Sequence, residues 1–154
     1  MEKRLRLGAV DPFSFLESDG ICYSIYFQGC LRRCKGCHNP ELWDLDGGEL
    51  VAADDILKDI KKKENWYTAV AFLGGEPLLQ QEALLYLMRG VKEMELETWL
   101  YTGCNSVSEI PQEIFVLADV VKLGEYREDL RDTGYILAST NQYYIDRRGV
   151  NVAN

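Results

Sequence analysis

The chain has 154 residues, 47% hydrophobic and 27% charged, with 17 basic against 25 acidic side chains for a net charge of −8. That length suits one domain with a real core, and the acidic balance argues against a general nucleic-acid or anionic-membrane surface. No apolar run approaches the roughly 18 residues of a membrane span, and no signal-length apolar stretch follows the basic start Met1–Leu7, so a cytoplasmic protein is expected. In chain order, a short strand is expected at Leu5–Val10, then a loop. Cys22–Gln28 carries Tyr23, Ile25, Tyr26 and Phe27 and predicts a strand partly buried on both faces. A cysteine-rich loop follows at its carboxyl end, and Pro40 and Asp46-Gly47-Gly48 punctuate the exit. Ala53, Ile56, Leu57 and Ile60 recur at helical spacing and predict a helix over Asp54–Lys63. Thr68–Leu73 reads as a strand ended by Gly74-Gly75-Glu76-Pro77. Leu79–Glu93 reads as a helix with Leu84, Leu87, Met88 and Val91 on one face. Glu97–Thr102 is the next strand, Ile110–Leu117 a short helix with Pro111 near its first turn, and Asp119–Leu123 another strand. Gly124–Gly134 is a polar segment, Tyr135–Ile145 the last strand with its approach, and Gly149–Asn154 a frayed tail.

Strands alternate with helices, which favours a parallel sheet with crossover helices. About four or five βα units are fewer than the eight of a closed barrel. The expected fold class is α/β: an open, partial (β/α) barrel with a mostly parallel curved sheet, one domain over 1–154 with its core at about 20–146. Ligands of such sheets lie at the carboxyl ends of the strands. Cys30, Gly74-Gly75-Glu76, Thr102-Gly103 and Lys122 are strand-end residues and are expected along one edge.

Cys30, Cys34 and Cys37, three of five cysteines, are spaced Cys-x3-Cys-x2-Cys. Crowded like this, they speak for a metal centre rather than a disulfide framework. A cubic 4Fe–4S cluster normally takes four thiolates. Three local cysteines would leave one iron open, and an open metal position is where a substrate can bind. The competing readings are a structural zinc knuckle, or a closed cluster with Cys22 or Cys104 as fourth ligand. His38, the only histidine, adjoins Cys37 too closely for both to hold one ion. The glycines of Gly74-Gly75-Glu76-Pro77 allow close approach to the backbone. Carbonyls there can accept from an ammonium group, and Glu76 adds an anionic acceptor. Alone, the run also reads as a plain strand-to-helix turn. Thr102 and Lys122 read equally as ligand contacts or solvated strand ends. Arg32, Arg33 and Lys35 form a small basic patch between the cysteines.

Gln28-Gly29-Cys30 through Cys37-His38-Asn39-Pro40-Glu41-Leu42-Trp43 resembles the radical S-adenosylmethionine enzymes. More particularly, it is similar to the activating enzyme of the anaerobic (class III) ribonucleotide reductase, a glycyl-radical activase. The likeness runs from roughly Gly20 to Ile145, through Gly74-Gly75-Glu76-Pro77, Trp99-Leu100-Tyr101-Thr102-Gly103 and Ala138-Ser139-Thr140-Asn141-Gln142. It departs at Glu17-Ser18-Asp19-Gly20, where many such activases have an Asn-Gly-Pro-Gly-like turn. Gly36 also stands where the wider superfamily has an aromatic. The resemblance implies a 4Fe–4S cluster on Cys30, Cys34 and Cys37. It implies S-adenosylmethionine held through its amino group by Gly74, Gly75 and Glu76. His38 would lie against the adenine, Thr102 and Lys122 near the ribose or carboxylate, and Asn141 and Gln142 would satisfy cofactor or backbone groups. The implied activity is reductive cleavage to a 5′-deoxyadenosyl radical that takes a hydrogen from a glycine of the reductase large subunit. The implied electron donor is flavodoxin- or ferredoxin-like, and neither nucleic acid nor membrane is an expected partner. Two alternatives remain: a small-molecule radical enzyme like 7-carboxy-7-deazaguanine synthase, and a non-enzymatic iron–sulfur or zinc module.

Overall fold

A computed structural model describes residues 2–15, 17–37, 39–131 and 138–149. Seven strands form one sheet: β1 Arg4–Ser14, β2 Cys22–Phe27, β3 Glu49–Ala52, β4 Ala69–Gly74, β5 Glu97–Tyr101, β6 Val120–Leu123 and β7 Tyr143–Asp146. Their spatial order is β3-β1-β2-β4-β5-β6-β7. β2, β4, β5 and β6 run parallel, as the alternation predicts. β1 on one side and β7 on the other run antiparallel to them, and β3 pairs antiparallel with β1 and so runs in the direction of the central four. The sheet does not close on itself, in keeping with an open α/β architecture. The helices are α1 Ala53–Lys61, α2 Gln81–Glu93 and α3 Gln112–Phe115.

One face carries the main core. Ile25 and Phe27 of β2, Val70 and Phe72 of β4, and Val121 and Leu123 of β6 pack on Ile56 and Ile60 of α1, Leu84, Leu87, Met88 and Val91 of α2, and Ile114 of α3. The period-2 alternation of each strand puts Cys22, Ala69, Ala71, Trp99 and Val120 on the other face. The β1–β2 connection lies over that face. The Tyr101 hydroxyl donates to the Glu17 carbonyl at 2.7 Å, and the Tyr26 hydroxyl to Glu17 Oε1 at 3.0 Å. The Arg148 guanidinium binds Asp146 and Asp19 and lies 5.1 Å from the Trp99 ring centre.

Four departures from the sequence expectations have local causes. β1 runs on to Ser14, past the expected end at Val10. Only Arg4–Leu7 is flanked by β3, so Pro12 lies on a bare edge where its missing N–H breaks no ladder. β3 was not foreseen; four residues are too few to display an alternation. The expected helix over Ile110–Leu117 is instead a 3-10 turn at Val107–Glu109 followed by the short α3. Ile110 precedes Pro111 and is extended (φ −96, ψ 127), because a proline's ring pushes the preceding residue out of the helical region. The helix expected from Leu79 begins as a 3-10 turn at Pro77–Gln80 and becomes α2 only at Gln81. Gln80 breaks the continuity because its side chain is spent on β1 and β2: it donates to the carbonyls of Arg6 and Gln28 and accepts from the Arg6 N–H. The expected last strand is found at Tyr143–Asp146. Residues 135–137 of its approach, and 150–154 of the expected tail, lie outside the described residues. No helix among the described residues is long and apolar enough to cross a membrane.

Candidate active site

The cysteine loop leaves β2 through Gly29, whose φ of +103 is open to glycine and strained for other residues. Its base is zipped shut: the Gly29 N–H donates to the Leu42 carbonyl at 2.7 Å and the Cys30 N–H to the Trp43 carbonyl at 3.2 Å. Arg33 and Gly36 are both left-handed (φ 49 and 74) and turn the tip back, so that the Cys37 N–H reaches the Cys34 carbonyl at 3.0 Å. A Cβ at Gly36 would lie 2.7 Å from the Glu128 carboxyl carbon, which gives a reason in this chain for a glycine before Cys37.

The loop forms one wall of a cleft of about 210 Å³ at the carboxyl ends of the parallel strands. Cys30, Cys34 and Cys37 line it, facing Gly74, Gly75 and Glu76 from β4, Thr102 and Gly103 after β5, and Lys122 of β6. The strand-end residues named from the sequence therefore do share one edge. All five cysteines are free thiols. Among the described residues no three histidine, cysteine or acidic side chains are gathered around a single ion site, and three thiolates of a 4Fe–4S cluster need not be, since each binds a different iron. Burial raises the Cys34 thiol above its ordinary pKa. Cys22 is fully buried at the far end of β2, opposite Ala69. Strand length alone puts it roughly 17 Å from the cysteine loop, which removes it as a fourth ligand. Burial pushes its thiol up to about 11.

The two glycines are demanded first by the chain itself. A Cβ on Gly74 would lie 2.3 Å from the Phe27 nitrogen, and one on Gly75 2.3 Å from the Gly29 carbonyl oxygen. The Gly75 and Glu76 N–H groups bond the Phe27 and Gly29 carbonyls, each at 2.8 Å. The end of β4 is thus laced to the root of the cysteine loop. Among the described residues nothing donates to the Gly75 carbonyl, which leaves it free as an acceptor.

Glu76 is not the open acceptor that its sequence position suggests. It is 5% exposed and accepts from the Leu78 N–H at 3.1 Å, the Thr102 hydroxyl at 2.9 Å and the Gly103 N–H at 2.8 Å. Arg32 Nε lies 3.5 Å away. The Thr102 hydroxyl is equally committed, since it also accepts from the Cys104 N–H at 3.1 Å. Lys122 is different: its ammonium lies 5.3 Å from the Tyr101 ring centre, and among the described residues no carboxylate pairs with it. Burial lowers its pKa to about 8. Asn141 does not line the cleft. Its amide donates to the Glu125 carbonyl at 2.9 Å and accepts from the Ser139 hydroxyl at 2.6 Å, so it holds the segment after β6 in place. Gln142 does line the cleft, while its amide bonds the Gly124 carbonyl and the Ala138 and Ser139 N–H groups. His38 lies outside the described residues. Among the cleft residues to which the sequence assigns no ligand role, Arg32 and Tyr101 matter most. Arg32, seen there only as part of a basic patch, reaches Glu76. Tyr101 is the wall between this cleft and a second cavity of about 440 Å³ under the β1–β2 connection.

The family described as a 4Fe-4S single cluster domain matches residues 16–145. The chain is 31% identical to a pyruvate formate-lyase-activating enzyme of Clostridium pasteurianum over 134 residues, 84% of this chain and 55% of that protein. It is 30% identical to a pyruvate formate-lyase 1-activating enzyme of Escherichia coli over 124 residues, 77% of this chain and 50% of that protein. The chain spans about half the length of these relatives. Among solved structures it resembles QueE from Escherichia coli with a TM-score of 0.58 at 13% identity, over 90% of this chain and 62% of that one; this is a likeness of fold.

Proposed function

Because the chain belongs to the 4Fe-4S single cluster domain family, we propose that it is a radical S-adenosylmethionine enzyme that installs a glycyl radical on a partner enzyme, the anaerobic ribonucleotide reductase. The observation that carries this reading is the cleft in which Cys30, Cys34 and Cys37 face Gly74–Glu76 and Lys122. Its donor set fits the cluster. It offers three free thiols from one loop; Cys22 is too distant to complete a closed cage, and Cys104 is buried outside the cleft lining with its thiol 3.5 Å from Arg32 Nη2. It also fits an amino-acid cofactor: among the described residues the Gly75 carbonyl accepts from no donor and the Lys122 ammonium pairs with no carboxylate, which leaves them for the ammonium and the carboxylate.

Cys30, Cys34 and Cys37 would hold the cluster in this reading. With one electron from a flavodoxin- or ferredoxin-like donor, bound S-adenosylmethionine would supply a 5′-deoxyadenosyl radical, with methionine as the other product. The protein's own residues position and shield. Gly75 offers its carbonyl, and Lys122 neutralises the carboxylate. Glu76 acts through structure, bracing the ends of β4 and β5 so that both acceptors keep their places. Tyr101 and Trp43 supply apolar wall against water.

The relatives named for pyruvate formate-lyase make that enzyme the rival target. Anaerobic reconstitution with iron and sulfide, reduction and addition of S-adenosylmethionine should yield 5′-deoxyadenosine, and Cys34→Ala should abolish it. A glycyl radical signal should then grow on the anaerobic reductase. A signal on pyruvate formate-lyase alone would transfer the target. No 5′-deoxyadenosine from a loaded, reduced protein, with either partner present, would sink the reading.

A further inference from the structure

Arg32 lies in the loop between Cys30 and Cys34 and reaches back across the cleft mouth. Its Nε is 3.5 Å from Glu76 Oε1, its Nη1 3.6 Å from Glu125 Oε2 and its Nη2 3.5 Å from Cys104 Sγ. One fork thus meets the turn after β4, the connection after β5 and the segment after β6. The space it occupies is reserved: a Cβ on Gly103 would lie 2.4 Å from Arg32 Nε. The contacts are also unfinished. Both ion pairs are longer than a charge-assisted hydrogen bond. Among the described residues Nε is buried with no hydrogen-bond partner, and a buried polar group left unpaired is costly.

We propose that Arg32 is the positioning residue of the cysteine loop: it tethers the loop to the three strand ends and so holds the three thiols where they bind their centre. The fork suits this task because a planar guanidinium can address three partners at fixed angles, which an ammonium cannot. The tether in the metal-free chain is independent of the proposed function; only its effect on the bound centre rests on it.

Three variants separate these parts. Arg32→Met removes the fork and keeps the stem, Arg32→Lys keeps the charge, and Gly103→Ala keeps Arg32 but fills its space. Amide exchange in the metal-free protein reads the loop directly. The Cys30 and Cys37 N–H groups should exchange about tenfold faster in Arg32→Met and Gly103→Ala, with Val70 and Phe72 of β4 unchanged. Arg32→Lys should fall between Arg32→Met and the parent. After reconstitution, a chelator should strip iron from Arg32→Met roughly 10- to 100-fold faster, the usual effect of losing an outer partner of a metal site. The cluster potential should move negative in Arg32→Met and hold in Arg32→Lys, a response that loss of packing alone would not give. Loop amides as slow in Arg32→Met and Gly103→Ala as in the parent would overturn the tether. Equal iron loss in Arg32→Met and the parent would overturn the effect on the bound centre. Loosened amides in a chain that never takes up iron would keep the tether and reject the function.

Discussion

Glu76 and Lys122 differ in what the fold has already done with them. The Glu76 carboxylate has its oxygens filled by Leu78, Thr102 and Gly103. Glu76→Gln would turn an amide N–H₂ against donors. The metal-free protein should lose about 1–3 kcal/mol in urea unfolding, before any cofactor is involved. An unchanged stability would return Glu76 to the role of open acceptor. Lys122 carries a cost instead. Its folded pKa of about 8 lies below the unfolded value near about 10.4, so between the two the unfolded chain binds more protons. Stability therefore rises with pH across that window, and the penalty is fully present below about pH 8. Lys122→Met should stabilise the metal-free protein by about 1–2 kcal/mol at neutral pH and flatten the rise; urea titrations at about pH 7 and 9.5 would show it. The positions of both residues were legible, because strand ends and Gly-Gly-Glu-Pro mark them. Their states were not, since Thr102 and Gly103 meet Glu76 only once β4 and β5 lie side by side.

The turn after β4 and the cysteine loop behave as one piece. Gly75 approaches Gly29 so closely that Gly75→Ala should cost roughly 2–3 kcal/mol, as overpacking does, and should speed exchange of the Glu76 amide bonded to Gly29. A chain that tolerates alanine there would show that the space belongs to the ligand rather than to the loop. The helices of greatest amphipathicity, α1 and α2, could be read directly from their spacing. What could not be read were short pieces decided by partners: β3, which exists because Arg4–Leu7 offers it an edge, and α3, which Pro111 delays.

Four parallel strands with their connections follow from alternation alone, and so does the edge on which the candidate site lies. The antiparallel flanks do not, because no local signal says that β1 passes between β2 and β3, or that β7 returns beside β6. The same layout separates the cysteines by function. Cys22 is held at the opposite end of β2 from the loop, so Cys22→Ala should leave iron uptake on reconstitution unchanged while Cys34→Ala loses it. Equal losses from both would revive Cys22 as a fourth ligand.

The two outermost strands have a consequence for how another chain can join this one. β3 and β7 are four residues each, and β1 beyond Leu7 is irregular in register and carries Pro12. Short, charged or kinked rims make poor templates for a further strand. An incoming extended segment finds little to gain by lengthening the sheet sideways, whereas the cleft opens at the strand tops. The same rims should keep concentrated protein from zipping into ribbons, so that it stays dispersed during anaerobic loading.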